Sequence, residues 1–175
     1  MAGLSVQQSI AALPSTLRIA QAGNLSLARS ADIVTNVMSQ YAIQTSDLGR
    51  AVDVLTKTFT SSNTSLSLLA TSFIYTGSIA KASNQTFEQT NALLGVLANN
   101  GYQGGKAGRT LANAFSRLQR QVPSVADSLE KYNVKTHELD PATGQATQAM
   151  RPLVGILEDL REKGVTVADA MTIFG

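Results

Sequence analysis

The chain has 175 residues, enough for one domain with a buried core. Charged residues make up only 15% of it, against the usual ~25%, and a formal net charge of +2 is too small to indicate nucleic-acid binding by itself. Because there is no cysteine, disulfides, thiol catalysis and cysteine metal sites are excluded.

The sequence does not predict a membrane span or a signal peptide. Residues 1–10 lack a basic region followed by an apolar run. Residues 58–80 carry no charge, but they are rich in Ser, Thr and Asn and are interrupted by Gly77, whereas a span requires ~20 mostly apolar residues. We therefore expect neither secretion nor insertion into a membrane.

Short helices separated by stop signals are predicted along the first half of the chain. Residues 6–12 have the apolar spacing of a helix, and Pro14, which suits a first turn better than a helix interior, predicts that a second helix begins there. Later boundaries are set by capping serines and by glycines that end helices. In chain order these are Gly23 as a stop, Ser26 and Ser46 as caps, residues 61–65 as a polar break, and Gly77 as a stop.

The segment from Thr86 to Arg120 predicts two helices joined by a glycine-rich corner. Thr86 and Gln89 have the spacing of a capping box. The first helix ends where Asn and Gly tolerate a left-handed backbone, and the second begins at about Lys106. The residues that we assign to this corner are Asn99, Gly101, Gly104, Gly105 and Gly108.

The second of these helices is predicted to have one apolar and one basic face. The apolar face holds Leu111, Phe115, Leu118 and Val122. The opposite face holds four cations that we call the basic stripe, namely Lys106, Arg109, Arg117 and Arg120. We interpret the basic stripe as a candidate assembly contact, and a solvated helix face is the simpler interpretation of the same pattern.

The last third of the chain is predicted to combine helices with an extended segment. Ser124 is placed to cap a helix that follows the basic stripe. Residues 134–149 contain turn-forming Pro and Gly and predict an extended segment that can form a small β-hairpin. A helix that ends at Gly164 and a last helix that begins near Thr166 close the chain.

We therefore expect an all-α fold, a compact module of short helices with glycine and proline corners and a small β-hairpin near 134–149. The expected module covers residues 1–175, with helices over roughly 4–122, a turn and extended segment over 133–150 and closing helices over 151–175. No predicted helix exceeds roughly five turns, and we find no heptad pattern or internal repeat. A fragment of a longer chain is the organisation that we expect.

No catalytic or metal-binding motif is complete. The loop 101–106 lacks the first glycine and the final Ser or Thr of a phosphate loop. His137, the one histidine, starts like a zinc-protease motif, but Pro141 holds the position of the second histidine. We therefore expect no enzyme, no cofactor and no metal. Glu88 is the carboxylate that we would substitute to test for hydrolase activity.

The run NNGYQGGKAGRTL at residues 99–111 resembles the core region of phage tail tape measure proteins. Further short motifs occur in the same order as in that family, and together they span most of the chain. They are SNTS at 62–65, YTG at 75–77, MRPL at 150–153 and IFG at 173–175. The chain differs from the family pattern at Gly105, where a capping Ser is frequent, and at Arg109, where a small residue is common.

This resemblance implies a structural role in a long-tailed phage or prophage. A tape measure protein occupies the tail tube during assembly, sets the tube length and leaves ahead of the DNA at infection. The implied partners are other copies of the chain, tail tube subunits and tail assembly chaperones. The implied location is the lumen of the virion tail tube, and the host cytoplasm during assembly.

Two alternatives come from other functional classes. One is a nucleic-acid-contacting helical module that uses the basic stripe, a DNA contact that we do not favour. The other is a module associated with a cell-wall hydrolase, for which Glu88 would supply the carboxylate. Steep salt dependence of DNA binding would identify the first, and peptidoglycan turnover would identify the second.

Overall fold

A computed structural model describes residues 4–175. In that range the chain forms nine α-helices and one two-stranded antiparallel sheet, with 72% of the residues helical, which confirms the predicted fold class and the small hairpin. The helices are α1 (Val6–Gly23), α2 (Leu27–Tyr41), α3 (Leu48–Ser61), α4 (Leu66–Ala82), α5 (Phe87–Asn99), α6 (Gly104–Arg120), α7 (Pro123–Lys131), α8 (Leu153–Glu162) and α9 (Val167–Phe174), and the strands are β1 (His137–Leu139) and β2 (Ala146–Met150).

The helices pack around the pair formed by α4 and α6. α2 and α5 lie against α4, α1 packs on α2 and α3, and α3 packs on α5. α9 covers the other end, where it contacts α6 and α7. Buried apolar side chains from all nine helices join one continuous core.

An aromatic cluster fills the centre of this core. Tyr41 meets Phe73 and Phe87 edge to face, with ring centres 6.0 and 5.2 Å apart, and the two phenylalanine rings stack at 5.5 Å. The Tyr41 hydroxyl donates to Oγ1 of Thr90 at 2.8 Å, so its polar end is satisfied inside the core. Burial raises the pKa of Tyr41 to about 12.

Residues 6–23 form one helix and not the two that Pro14 predicted. Pro14 lies inside α1 but on its exposed side, where water can bind the carbonyl of Ile10 that loses its N–H partner. On the opposite side Ala12 and Ile19 are fully buried and hold the helix against the core. Tertiary packing here outweighs the local cost of proline.

Two further boundaries in the first half were predicted wrongly. α4 continues through Gly77, because this glycine makes room for Gln40 of α2, whose side chain would collide with a Cβ at that position. Ser46 lies in a single 3₁₀ turn, Thr45–Asp47, and in the described residues no side-chain cap is made where α3 begins. The predicted cap of Ser26 is confirmed, since its side chain accepts from the N–H of Arg29.

The end of α6 also differs from the prediction. α6 stops at Arg120, so Val122 lies outside its apolar face and is 45% exposed. Gln121 adopts a left-handed φ of 41° that reverses the chain. Pro123 then takes the first position of α7, where its missing N–H is not needed, so Ser124 is not the cap.

The β-hairpin is fastened to the connection between α4 and α5. Gln85 is only 2% exposed; its Nε2 donates to the carbonyl of Arg151 at 3.2 Å, and its Oε1 accepts from the N–H of Leu153 at 2.9 Å. Beside it, Nδ2 of Asn84 donates to the carbonyl of Met150 at 3.1 Å. These contacts join segments about 66 residues apart in sequence and fix where α8 starts.

No helix within residues 4–175 has the length and apolar character needed to cross a membrane.

Candidate functional site

The glycine corner between α5 and α6 is fastened to the loop that precedes α4. The predicted capping box of Thr86 and Gln89 opens α5. Oδ1 of Asn99 accepts from the N–H of Asn63 at 2.7 Å. Gly101 follows with φ of 83°, a left-handed conformation that favours glycine. The corner therefore has a defined geometry.

The remaining corner glycines lie in α6, which begins at Gly104, two residues before the predicted start at about Lys106. The carbonyl of Gly104 accepts from Oγ of Ser72 at 2.8 Å. At Gly108 a Cβ would lie 2.9 Å from Cα of Ser72, so the backbones of α4 and α6 touch there. Gly105 faces the ring of Tyr75, 3.0 Å from where a Cβ would stand. These glycines allow the close approach of the two helices.

Two cations of the basic stripe lie over tyrosine rings. Nζ of Lys106 is 4.1 Å from the centre of the Tyr102 ring, and Cζ of Arg109 is 4.5 Å from the centre of the Tyr75 ring. Both cations are exposed. Such cation–π contacts contribute about 0.5–1 kcal/mol at exposed sites, so they hold the side chains near the corner.

Arg117 has a different environment from the rest of the stripe. It is partly buried, and its guanidinium donates to the carbonyls of Ile173 at 3.0 Å and Thr172 at 2.7 Å. These carbonyls belong to the last turn of α9, where no intrahelical N–H is available. Arg117 thus caps α9, whereas Arg120 is exposed in the last turn of α6. The four cations do not form one solvated row.

A polar cluster that the sequence did not predict joins α7 to α9. Oδ2 of Asp169 accepts from Nζ of Lys131 at 2.8 Å, from the Tyr132 hydroxyl at 2.6 Å and from Oγ1 of Thr166 at 2.7 Å. These donors, the Lys131 ammonium first, hold the pKa of the Asp169 carboxyl well below its usual range. Only the Thr166–Asp169 contact could be predicted from local spacing, since Lys131 ends α7 and Tyr132 follows it, far from Asp169 in sequence.

Among the residues that the structure describes, the carboxylates and His137 do not converge on a reaction centre. Glu88 forms an ion pair with Arg50 across α5 and α3, and both side chains are exposed. His137 lies in β1, with Nδ1 3.0 Å from Oγ1 of Thr136. Over residues 4–175 no group of three or more His, Asp or Glu side chains could hold a metal ion.

A groove of about 810 Å³ runs between α3 and α5, and we call it the α3–α5 groove. Its lining on α5 includes Asn91, Ala92 and Gly95; Asn91 is only 1% exposed, whereas Ala92 is exposed. Nδ2 of Asn91 donates to the carbonyl of Phe87 at 2.8 Å, while its Oδ1 has no partner among the described residues. This oxygen is shielded from solvent, so it does not open into the groove.

An exposed apolar row on α1 is the second unusual surface. Val6, Ile10, Leu13 and Leu17 recur at helical spacing and are between 42% and 77% exposed. We call this row the α1 ridge. Aliphatic side chains that share one exposed helix face are typical of protein–protein contacts.

Comparison with known proteins identifies relatives of the chain. A family model for phage-related minor tail proteins matches residues 1–175. A tape measure protein of Pneumococcus phage Dp-1 is 23% identical over 166 residues, which cover 93% of this chain and 14% of that protein. A probable tape measure protein of Escherichia phage P2 is 26% identical over 160 residues, which cover 91% of this chain and 19% of that protein. The chain thus spans less than a fifth of each relative, and no solved structure matches it.

Proposed function

The chain belongs to the family of phage-related minor tail proteins, and from this premise we propose that it is a structural segment of a tape measure protein, which sets the length of the tail tube. The observation that carries the proposal is the family match over residues 1–175, together with one relative named as a tape measure protein and one named as a probable tape measure protein. During assembly this segment lies in the tube lumen, after synthesis in the host cytoplasm, and it leaves ahead of the DNA.

Within that role the segment acts as a folded unit and not as the ruler itself. The longest helix, α1, has 18 residues and is therefore about 27 Å long. A continuous helix over residues 4–175 would measure about 260 Å at 1.5 Å per residue. The short helices and the shared core support a compact segment, so the length-setting rod belongs to other parts of the parent protein.

Its partners in this proposal are other copies of the chain, tail tube subunits and tail assembly chaperones. A charged content of 15% and the exposed α1 ridge support surfaces that meet proteins. The basic stripe supports DNA contact less well than its sequence pattern did. Arg117 is used inside the fold, and Lys106 and Arg109 already lie on tyrosine rings.

The segment is proposed to have no catalytic activity. The ion pair of Glu88 with Arg50 supports a surface role for the carboxylate on which a hydrolase would depend. We expect no peptidoglycan turnover by the purified chain or by its Glu88→Gln variant. Turnover that is lost in Glu88→Gln would contradict the proposal and favour the hydrolase alternative.

The experiment that tests the proposal uses the phage that encodes the parent protein. We expect in-frame deletion of residues 4–175 to abolish tails or to give tails of irregular length in electron micrographs. Ala142→Ser, at the exposed hairpin turn, is the matched control and should leave tails normal. Tails of normal number and length after the deletion would overturn the proposed role.

A further inference from the structure

We propose that two copies of this chain associate through their α1 ridges, in a two-fold contact with the two helices antiparallel. α1 has two separate apolar faces. One face holds Ala12 and Ile19, which are fully buried and fix the helix to the core. The other is the α1 ridge, whose side chains are between 42% and 77% exposed. Because the buried face already holds α1 in place, the ridge is available to a partner.

The spacing along the α1 ridge indicates that the partner is a helix. Its four side chains follow one another at intervals of four, three and four residues, which are the intervals that form a single seam between two packed helices. A groove of about 590 Å³ lies between this seam and α2, where its wall is formed by Leu27, Ala28 and Ala31. The two small alanines leave room for the side chains of an incoming helix.

The order of the intervals indicates that this helix is α1 of a second copy. Intervals of four, three and four are the same in both directions, so an antiparallel copy presents a matching seam. Val6 then lies opposite Leu17 of the second copy, and Ile10 lies opposite its Leu13. A two-fold contact requires a surface that is complementary to itself, and here the ridge and the groove lie side by side on one face.

The contact does not require a charge to be buried. Residues 4–17 contain no charged side chain, and the groove between α1 and α2 is lined by none. Burial of an unpaired charge would oppose association. A nucleic acid or a strongly acidic peptide would find no cation along the ridge or the groove, so an uncharged helix face fits this surface better.

The exposed apolar area is sufficient for a weak but specific dimer. A fully exposed aliphatic side chain presents roughly 120 Å². The α1 ridge together with Leu27, which is 43% exposed, therefore presents roughly 300 Å² in each copy. Because about 57% of a typical interface is apolar, burial of this surface in both copies corresponds to a total of about 1,000 Å², which is the lower limit of specific interfaces. We therefore expect a reversible dimer that forms at micromolar concentrations.

Crosslinking between single-cysteine variants tests both the contact and its direction, because the chain has no cysteine of its own. We expect an oxidised mixture of purified Val6→Cys and Leu17→Cys to give a mixed disulfide, identified by mass spectrometry. Val6→Cys alone should give about ten-fold less product, since the two copies of residue 6 lie about 16 Å apart in the antiparallel pair. A mixture of Leu17→Cys with Ala142→Cys, at the exposed hairpin turn, is the matched control. A mixed product no more abundant than in these two samples, or a dominant product of Val6→Cys bound to itself, would overturn the proposal.

Solution mass across protein concentrations supplies the second readout. Ile10→Asp places a charge near the centre of the seam, so we expect it to raise the apparent dissociation constant by about ten-fold or more, with unchanged circular dichroism. Val167→Asp replaces an exposed valine on α9, outside the contact, and should leave association unchanged. A wild-type chain that is monomeric at every concentration, or an Ile10→Asp variant that associates normally, would overturn the contact and leave the α1 ridge to another partner. As the place where copies meet in a tail, this contact rests on the proposed function; crosslinking decides the contact and the deletion of residues 4–175 decides the tail role, so the two can fail separately.

Discussion

The α4–α6 pair and the terminal helix α9 are held in the fold by different kinds of contact. α4 and α6 approach until backbones touch at Gly108 and Ser72, and a hydrogen bond from Oγ of Ser72 to the Gly104 carbonyl lies within this close-packed interface. α9 is held by Arg117 at its C-terminal carbonyls and by the cluster around Asp169 at its start, while only Ile173 of this helix is fully buried. Close packing of helices therefore holds the centre of the molecule together, whereas polar contacts hold α9 in place.

The largest expected effect is loss of core volume in α6. Phe115 is fully buried, so Phe115→Ala should lower the free energy of unfolding by about 3–5 kcal/mol. Val122 was predicted on the same apolar face but lies exposed beyond the helix, so Val122→Ala should change stability by less than about 0.5 kcal/mol. Urea denaturation of both variants measures the difference. Similar losses in the two variants would show that the helix continues through Val122.

Substitution by alanine should have opposite effects on stability at two glycines, because only one of them touches the backbone of another helix. Gly108→Ala should destabilise the protein by about 1–3 kcal/mol, because the added methyl group meets the backbone of Ser72. Gly155→Ala, inside α8 with 3.7 Å of room to the nearest atom, should stabilise it by about 0.5–1 kcal/mol through helix propensity. Thermal unfolding compares them. If both variants gained stability, the close approach of α4 and α6 would be wrong.

Removal of the guanidinium at residue 117 should loosen α9 and leave the centre intact. Arg117→Met keeps the aliphatic stem but removes both bonds to the last carbonyls of α9. We expect hydrogen exchange to speed up in residues 167–174 and to stay unchanged in α4. Arg120→Met, at an exposed position of the same helix, is the control. Slow exchange in α9 of Arg117→Met would contradict its role as a cap.

The smallest expected effect is a pH dependence confined to α9. Since the pKa of folded Asp169 is depressed, its contribution to stability is fully present above the ordinary Asp pKa and is lost as pH falls below about 4 towards the folded value. Exchange of α9 amides, corrected for intrinsic rates, should therefore accelerate in acid in the wild type. Asp169→Asn should show fast exchange at both pH values. An equal acid response in both proteins would exclude Asp169 as the cause.

The features that were predicted correctly depend on interactions between residues that are close in sequence. The capping box of Thr86 and Gln89, the cap at Ser26 and the hairpin near 134–149 depend on residues a few positions apart, and all were predicted correctly. Pro14 and Gly77 were taken as breaks because local propensity was the only signal. Packing of distant helices overrides that propensity, and the sequence alone does not specify the partner.

In the candidate site, too, contacts between residues far apart in sequence could not be predicted. The basic stripe was identified from its spacing, yet the two carbonyls that Arg117 contacts lie 55 and 56 residues away and could not be predicted. Tyr132 and Asp169 are 37 residues apart, so their cluster was equally invisible. The α3–α5 groove needs two helices placed side by side. That placement exists only in the folded chain.

Tail length in a phage that carries a tandem duplication of residues 4–175 tests the central claim most directly. A compact structural segment predicts tails that assemble and whose mean length in electron micrographs grows by far less than about 260 Å. Growth by the full helical length would contradict the compact segment and would make these residues part of the ruler. Tails of unchanged morphology and length when the segment is both duplicated and deleted would contradict any role in the tail.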